Sequence, residues 1–253
     1  MSSSVLRTEK LCKSFSNGGI QQHVIKNLDL EIDKNDLTVI MGASGSGKTT
    51  LLYTLSGMDK PTLGKVFYGD QDISALNTDQ LAVFRRKNCG FVFQSIYLLD
   101  SMTVFDNVMT GALVVQKNTK ELVSKVEDLL RKVGIGEELW NKYPNQLSGG
   151  ECQRVGIVRA IINDPEIVFA DEPTGSLNSS ASSDVLDIFT GIHNNGQCIV
   201  MVTHDIKTAL RANRVIFLDD GNIVGEHRMP DYGTDDLKKR REGLQDFLDQ
   251  MGW

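Results

Sequence analysis

The stretch LTVIMGASGSGKTTLLYTLSG, residues 37–57, most constrains what this chain can fold into. The apolar run Leu37 to Met41 reads as a buried strand, and it breaks at Gly42. A small, glycine-rich block follows to Gly47, and from Lys48 the pattern turns helical. Strand, glycine-rich loop and helix in that order are the context in which G-x-x-x-x-G-K-[ST] cradles phosphate. Glycines let successive backbone N–H groups converge on phosphate oxygens. In such a loop the Lys48 ammonium would span the outer phosphates, and the Thr49 hydroxyl would ligate Mg²⁺. A glycine-rich turn with a solvated lysine is the plain alternative, and the flanking strand and helix weigh against it.

A second stretch, IVFADEPTGSLN (167–178), ends an apolar strand in two adjacent carboxylates. Asp171 at the strand end is suited to holding Mg²⁺, usually through water. Glu172 beside it is suited to polarising an attacking water as a general base. Two acids at the end of a buried strand are costly without a cation, so a metal–phosphate site explains them better than a solvent-facing pair. LSGGECQR (147–154) places a serine and paired glycines ahead of a helical stretch, a second anion-binding design at a helix N-terminus. One phosphate site does not need two such cradles. A head-to-tail dimer uses both, each nucleotide meeting one subunit's 42–49 loop and the other's 147–151 segment. His204 closes the strand-like CIVMVTH (198–204), where a histidine can contact an outer phosphate. A lone histidine is more often structural, and only its place after the strand raises it.

The remaining chain alternates strand and helix signals. VIKNLDLEI (24–32) alternates as a half-exposed strand; 66–93 reads as short strands with a helix near 79–87; and 103–142 is helical. RVIFLDDGNIVGEH (214–227) reads as a hairpin with turn residues Asp220, Gly221 and Asn222. Residues 228–253 form a charged tail, expected to be helical, either a solvated helix, which is the simplest reading, or a contact for a partner protein. YLL (97–99) and Met102 suit either a docking groove or the core. The formal charge of −6 argues against a nucleic-acid partner. Cys12, Cys89, Cys152 and Cys198 show no metal or disulfide spacing. No apolar run approaches the ~18 residues of a spanning helix, and MSSSVLRTEK lacks a signal-peptide core, so the expectation is a cytosolic, soluble chain.

With these segments in order, residues 4–227 closely resemble the nucleotide-binding subunit of an ABC transporter. The motifs are the Walker A loop GASGSGKT, Gln94 of the Q-loop, the signature LSGGE, the Walker B strand IVFADE, the D-loop SLN and the switch histidine His204. The wording MGASGSGKTTLL, GFVFQSIYLLDSMTVFDNV and FADEPTGSLN looks most like the group serving lipoprotein release, macrolide efflux and antimicrobial-peptide resistance. The resemblance implies an α/β P-loop NTPase core with a mixed sheet, an N-terminal antiparallel β subdomain and an inserted α-helical signature subdomain. The cassette spans 1–227, with the helical insertion at about 95–160 and the tail at 228–253.

It further implies an ATPase whose ATP site comprises Phe15, Gly42, Ala43, Ser44, Gly45, Ser46, Gly47, Lys48, Thr49, Thr50, Gln94, Ser148, Gly149, Gly150, Glu151, Asn178 and His204. Thr49, Gln94 and Asp171 attend Mg²⁺, while Glu172, His204 and Lys48 act in catalysis. The partners implied are an integral-membrane permease and a second copy in an ATP-dependent dimer, which puts the subunit on the inner face of the cell membrane. Two departures stand out. Phe15 replaces a frequent tyrosine and keeps the π-face for adenine. Asn178 replaces the usual D-loop aspartate and keeps hydrogen bonding without the charge. A soluble ABC ATPase of repair or translation usually fuses two cassettes or carries long coiled-coil insertions. Here about a hundred residues separate Walker A from the signature. A regulatory ATPase coupled to cell-wall enzymes through a membrane partner is the other alternative.

Overall fold

The computed structural model describes residues 4–233 and 236–253, so residues 1–3 of the expected cassette and 234–235 of the expected tail lie outside the described residues. In chain order the strands are β1 (Ser4–Asn17), β2 (Ile20–Leu28), β3 (Glu31–Asp33), β4 (Leu37–Met41), β5 (Leu63–Tyr68), β6 (Gln71–Asp72), β7 (Cys89–Phe93), β8 (Ile167–Asp171), β9 (Cys198–Val202), β10 (Arg214–Asp219) and β11 (Asn222–Arg228). The helices are α1 (Lys48–Leu55), α2 (Thr78–Asn88), α3 (Val104–Leu113), α4 (Lys120–Lys132), α5 (Glu137–Trp140), α6 (Gly149–Ile161), α7 (Ser179–Asn194), α8 (Ile206–Ala209) and α9 (Leu237–Gln250). The chain divides into two units: residues up to 82 together with 193–253, and residues 83–192.

In the first unit, β4 pairs in parallel with β9 on one edge and β10 on the other, and β11 returns antiparallel on β10. All five residues of β4 and all five of β9 are buried, which is why β9 reads as an unbroken apolar run and β4 as one interrupted only by Thr38. A separate antiparallel sheet runs β2–β1–β5–β6, with β3 also paired to β1. The expected single strand at 24–32 is interrupted. Asn27 takes a left-handed φ of 49°, β2 stops at Leu28, and the Asp29 carboxylate accepts the Lys10 N–H at 2.6 Å before β3 begins.

The expected solvated tail is instead a packed helix. Leu244 and Leu248 of α9 are fully buried, Phe247 stacks on His227, and Trp253 meets Phe217 edge to face at 5.7 Å. Gly225 on β11 makes room for it, since a Cβ there would stand 2.6 Å from Met251 Sδ and 2.9 Å from the Phe247 ring. Buried Arg240 donates to the carbonyls of Leu210, Ala212 and Pro230, tying α9 to the loops around β10.

In the second unit β7 and β8 pair in parallel, Phe93 opposite Asp171. The helical part packs α3, α4 and α6 around Val104, Val108, Leu122, Val126, Leu130, Val155 and Val158. Leu122, Val126 and Leu130 recur every four residues, so α4 shows one apolar stripe and leaves its charges outside. Thr103 and Thr119 accept the Asp106 and Leu122 N–H groups and fix where α3 and α4 start. Tyr97 and Leu99 are exposed, whereas Leu98 packs against this core. No helix among the described residues is long and apolar enough to cross a membrane.

Candidate nucleotide site

The glycine-rich loop of the first unit is shaped by close packing. Gly42 leaves β4 with φ 149°, and a Cβ there would sit 2.0 Å from the Leu218 carbonyl oxygen. Gly47 has φ 104° and precedes α1 with no side-chain cap, so no side chain of its own covers the first amides of the helix. Ser46 is buried, and its Oγ has no partner among the described residues. The Lys48 ammonium folds over the loop, donating to the carbonyls of Gly42 at 2.7 Å and Ala43 at 2.9 Å. Ala43, Ser44, Gly45 and Thr49 are exposed, and half-buried Thr50 accepts the Thr54 hydroxyl on its carbonyl at 2.7 Å. An uncapped helix N-terminus, an orphaned buried hydroxyl and a lysine at the rim fit a polyphosphate.

The loop also has a brace. Asp220 and Gly221 form a two-residue turn with positive φ at both positions, as a tight hairpin requires. The Gly221 N–H donates to the Ser46 carbonyl at 3.1 Å, and Asp220 pairs with Lys26 at 2.6 Å. Phe15 lies on β1 at 45% exposure, its ring 4.9 Å from the Lys13 ammonium, open to stacking. His204 is exposed just beyond β9, between Thr203, whose N–H donates to the Ile40 carbonyl, and Asp205, which caps α8.

In the second unit the two carboxylates differ in backbone. Asp171 ends β8 in register, whereas Glu172 is held at φ 45°, a left-handed conformation rare for a non-glycine residue. A turn follows in which the Gly175 N–H donates to the Glu172 carbonyl at 3.0 Å. Because Phe93 pairs with Asp171, the next residue, exposed Gln94, lies beside this turn. A Cβ on Gly175 would stand 2.8 Å from Gln94 Nε2, and the Ser176 hydroxyl donates to the Gln94 carbonyl at 3.4 Å. Asn178 stands immediately before α7, and its Oδ1 accepts the Ala181 N–H at 3.0 Å, so the D-loop residue is a helix cap. Ser148 and Glu151 form a reciprocal capping box on α6. Ser148 Oγ accepts the Glu151 N–H, and Glu151 accepts the Ser148 N–H and hydroxyl, both at 2.7 Å. The Ser148 hydroxyl, with its backbone N–H, holds the Glu151 carboxyl below its ordinary pKa. Gly149 is exposed, while Gly150 lets α6 approach α7, since its Cβ would meet that of Ala181 at 2.9 Å.

Two residues outside the expected set hold these loops. Gln153 is buried and donates to the Phe93 and Pro173 carbonyls. Arg159 donates to the carbonyls of Ile96 at 2.8 Å and Tyr97 at 2.6 Å, and burial lowers its pKa. The sequence signal for Gln153 is a polar residue on the stripe Gly150, Gln153, Ile157, Ala160, otherwise small or apolar. Among the described residues no cluster of three or more His, Cys, Asp or Glu forms a metal cage. Magnesium bound by one carboxylate, a hydroxyl, waters and phosphate oxygens needs none, and Asp171 and Thr49 are of the right chemistry for that mode.

A family model described as ABC transporter matches residues 25–175. A macrolide export ATP-binding/permease protein of Shewanella sp. strain W3-18-1 is 39% identical over 228 residues, covering 90% of this chain and 35% of that protein. The chain thus spans about a third of the length of these macrolide-export relatives. An ABC transporter ATP-binding protein of Methanocaldococcus jannaschii is 39% identical over 220 residues, covering 87% of this chain and 98% of that protein. Among solved structures, a dimeric cassette in a post-hydrolysis state bound to ADP and phosphate superposes with a TM-score of 0.82 at 33% identity, covering 90% of this chain and 100% of that one. The fold is the mixed α/β fold of that cassette, and the chain belongs to the ABC transporter family as one of its ATP-binding ATPase domains.

Proposed function

We propose that this chain binds Mg-ATP, closes on a second copy of itself head to tail, and hydrolyses the nucleotide to drive an integral-membrane permease. The observation that carries the reading is the uncapped N-terminus of α1 behind a glycine loop that Leu218 and Gly221 hold in place, in a chain that also ends β8 with Asp171 and follows it with Glu172. In this reading the exposed face of Phe15 stacks on adenine. The amides of 43–50 and the Lys48 ammonium hold the phosphates. Thr49, Asp171 and Gln94 are the residues that would attend Mg²⁺, which supplies charge neutralisation on the outer phosphates when bound. Glu172 takes a proton from the attacking water, and its constrained backbone gives the carboxylate a fixed direction. His204, exposed at the strand end, contacts the outer phosphate. Ser148, Gly149, Gly150 and Glu151 serve the nucleotide of the second copy, and Asn178 lies across the same interface. The dimeric form of the similar solved cassette supports this assembly.

Permease docking falls to the second unit. A groove of about 390 Å³ is lined by Phe93, Tyr97, Val114 and Arg159 among others, with Tyr97 at 67% and Val114 at 51% exposure. Such docking makes the chain peripheral on the cytoplasmic face of the membrane. The names of its macrolide-export relatives favour export as the direction, with macrolide, antimicrobial-peptide or lipoprotein-like cargo set by the permease. The test is Glu172→Gln. Turnover should fall ~10²–10⁴-fold with ATP binding retained. Light scattering should show this variant dimeric with Mg-ATP and monomeric without it. Parental turnover, or a monomer at saturating ATP, defeats the reading.

A further inference from the structure

Gln153 sits on α6, two residues beyond Glu151, and is 1% exposed. Both hydrogens of its side-chain amide are committed. Nε2 donates to the Phe93 carbonyl at 3.2 Å and to the Pro173 carbonyl at 2.8 Å. These two carbonyls leave no choice of amide orientation, because an exchanged oxygen would face two acceptors. Phe93 immediately precedes Gln94, and Pro173 immediately follows Glu172. One side chain therefore spans the entry to the Gln94 segment and the exit from the strained Glu172 position. The far side of the amide, Oε1, is buried with no partner among the described residues. Packing alone does not account for such a group, since an apolar side chain of similar volume would fill the stripe without burying an unsatisfied oxygen.

We infer that Gln153 is a positioning residue for hydrolysis: by holding the Phe93 and Pro173 carbonyls at once, it fixes the turn that carries Glu172 against the segment that carries Gln94. The positive φ of Glu172 persists only where surroundings over-determine it. Two of those constraints are visible here, the Gly175 N–H bond to the Glu172 carbonyl and the Gln153 bond to the next carbonyl. The bracket also originates on the helix whose first turn is the 148–151 segment, so a shift of α6 reaches the Glu172 turn through one side chain.

This inference rests on the assignment of Glu172 as general base, and the experiment separates the two. Gln153→Met keeps volume and flexibility but has no donor. Its kcat should fall ~10–100-fold, the scale of an ångström-level misplacement, with the KM for ATP within about threefold. Amide exchange across residues 172–177 in the same protein should accelerate. Unchanged kcat and unchanged exchange with only a lower melting temperature make Gln153 a packing residue and overturn the inference. Should Gln153→Met not fold, Gln153→Asn keeps the donors one methylene short and should lie between it and the parent. Parental kcat and exchange in that variant overturn the inference equally. Glu172→Gln is run alongside: if that protein keeps parental turnover, the base assignment fails, while exchange over 172–177 still decides whether the bracket exists.

Discussion

Replacing Asn178 separates two roles that its position superimposes. The Oδ1 atom accepts the Ala181 N–H at 3.0 Å and caps α7, so Asn178→Ala removes the acceptor and leaves that amide to water. Loss of such a cap costs about 1 kcal/mol, which for a chain of this size lowers the melting temperature by roughly 2–4 °C. Asn178→Asp keeps an acceptor in the same place and adds a negative charge at a helix N-terminus, worth about 0.3–1 kcal/mol in favour of the fold. Stability should therefore rank Asp at or above the parent and Ala below it. Turnover should rank differently. If the D-loop lies within ~10 Å of a bound phosphate in the dimer, one unit charge at an effective dielectric of about 20 is worth roughly 1.7 kcal/mol, more than tenfold, and salt reduces it. Asn178→Asp should then change hydrolysis several-fold at low ionic strength, and change its dependence on protein concentration, while ATP affinity of the single chain stays within about twofold. The assay is urea and thermal unfolding of all three proteins beside steady-state hydrolysis at several protein and salt concentrations. Equal stability of the Ala variant refutes the cap. Parental hydrolysis by the Asp variant at low salt refutes the proximity.

Two further outcomes follow from the first unit. Gly42→Ala forces a Cβ to within 2.0 Å of the Leu218 carbonyl oxygen at φ 149°, so loop or β10 must move; stability should drop by ~1–3 kcal/mol and ATP affinity by more than tenfold, read by titration calorimetry. His227 is pushed below its ordinary pKa, first by burial against Phe247 and then by the Arg240 charge. Its neutral form is the one the fold favours, so this stabilisation is complete above the ordinary histidine range near 6.5 and is lost as pH falls through the lowered value. Unfolding free energies at pH 7.5 and in the mildly acidic range should therefore diverge more for the parent than for His227→Phe; equal pH slopes would remove His227 from the account.

Much of the candidate site was legible because it is written in contiguous residues. A phosphate cradle needs backbone N–H groups in a row, so Gly42 to Thr49 suggest one without knowledge of any partner strand. The runs 37–41, 167–170 and 198–202 are apolar but for Thr38 because parallel neighbours bury them. Short-range capping was legible in principle. Ser148 and Glu151 stand at capping-box spacing, and the glycines between them also suit an anion cradle. What only the tertiary structure decided lies in bonds between positions remote in sequence. The Gly221 N–H supports the Ser46 carbonyl from 175 residues away. Gln153 reaches Phe93 and Pro173, 60 and 20 residues distant, and Arg240 binds three carbonyls around β10. Each of these bonds depends on which carbonyl the fold turns toward the donor. A backbone carbonyl is the same in every residue type, so no sequence pattern records the partner.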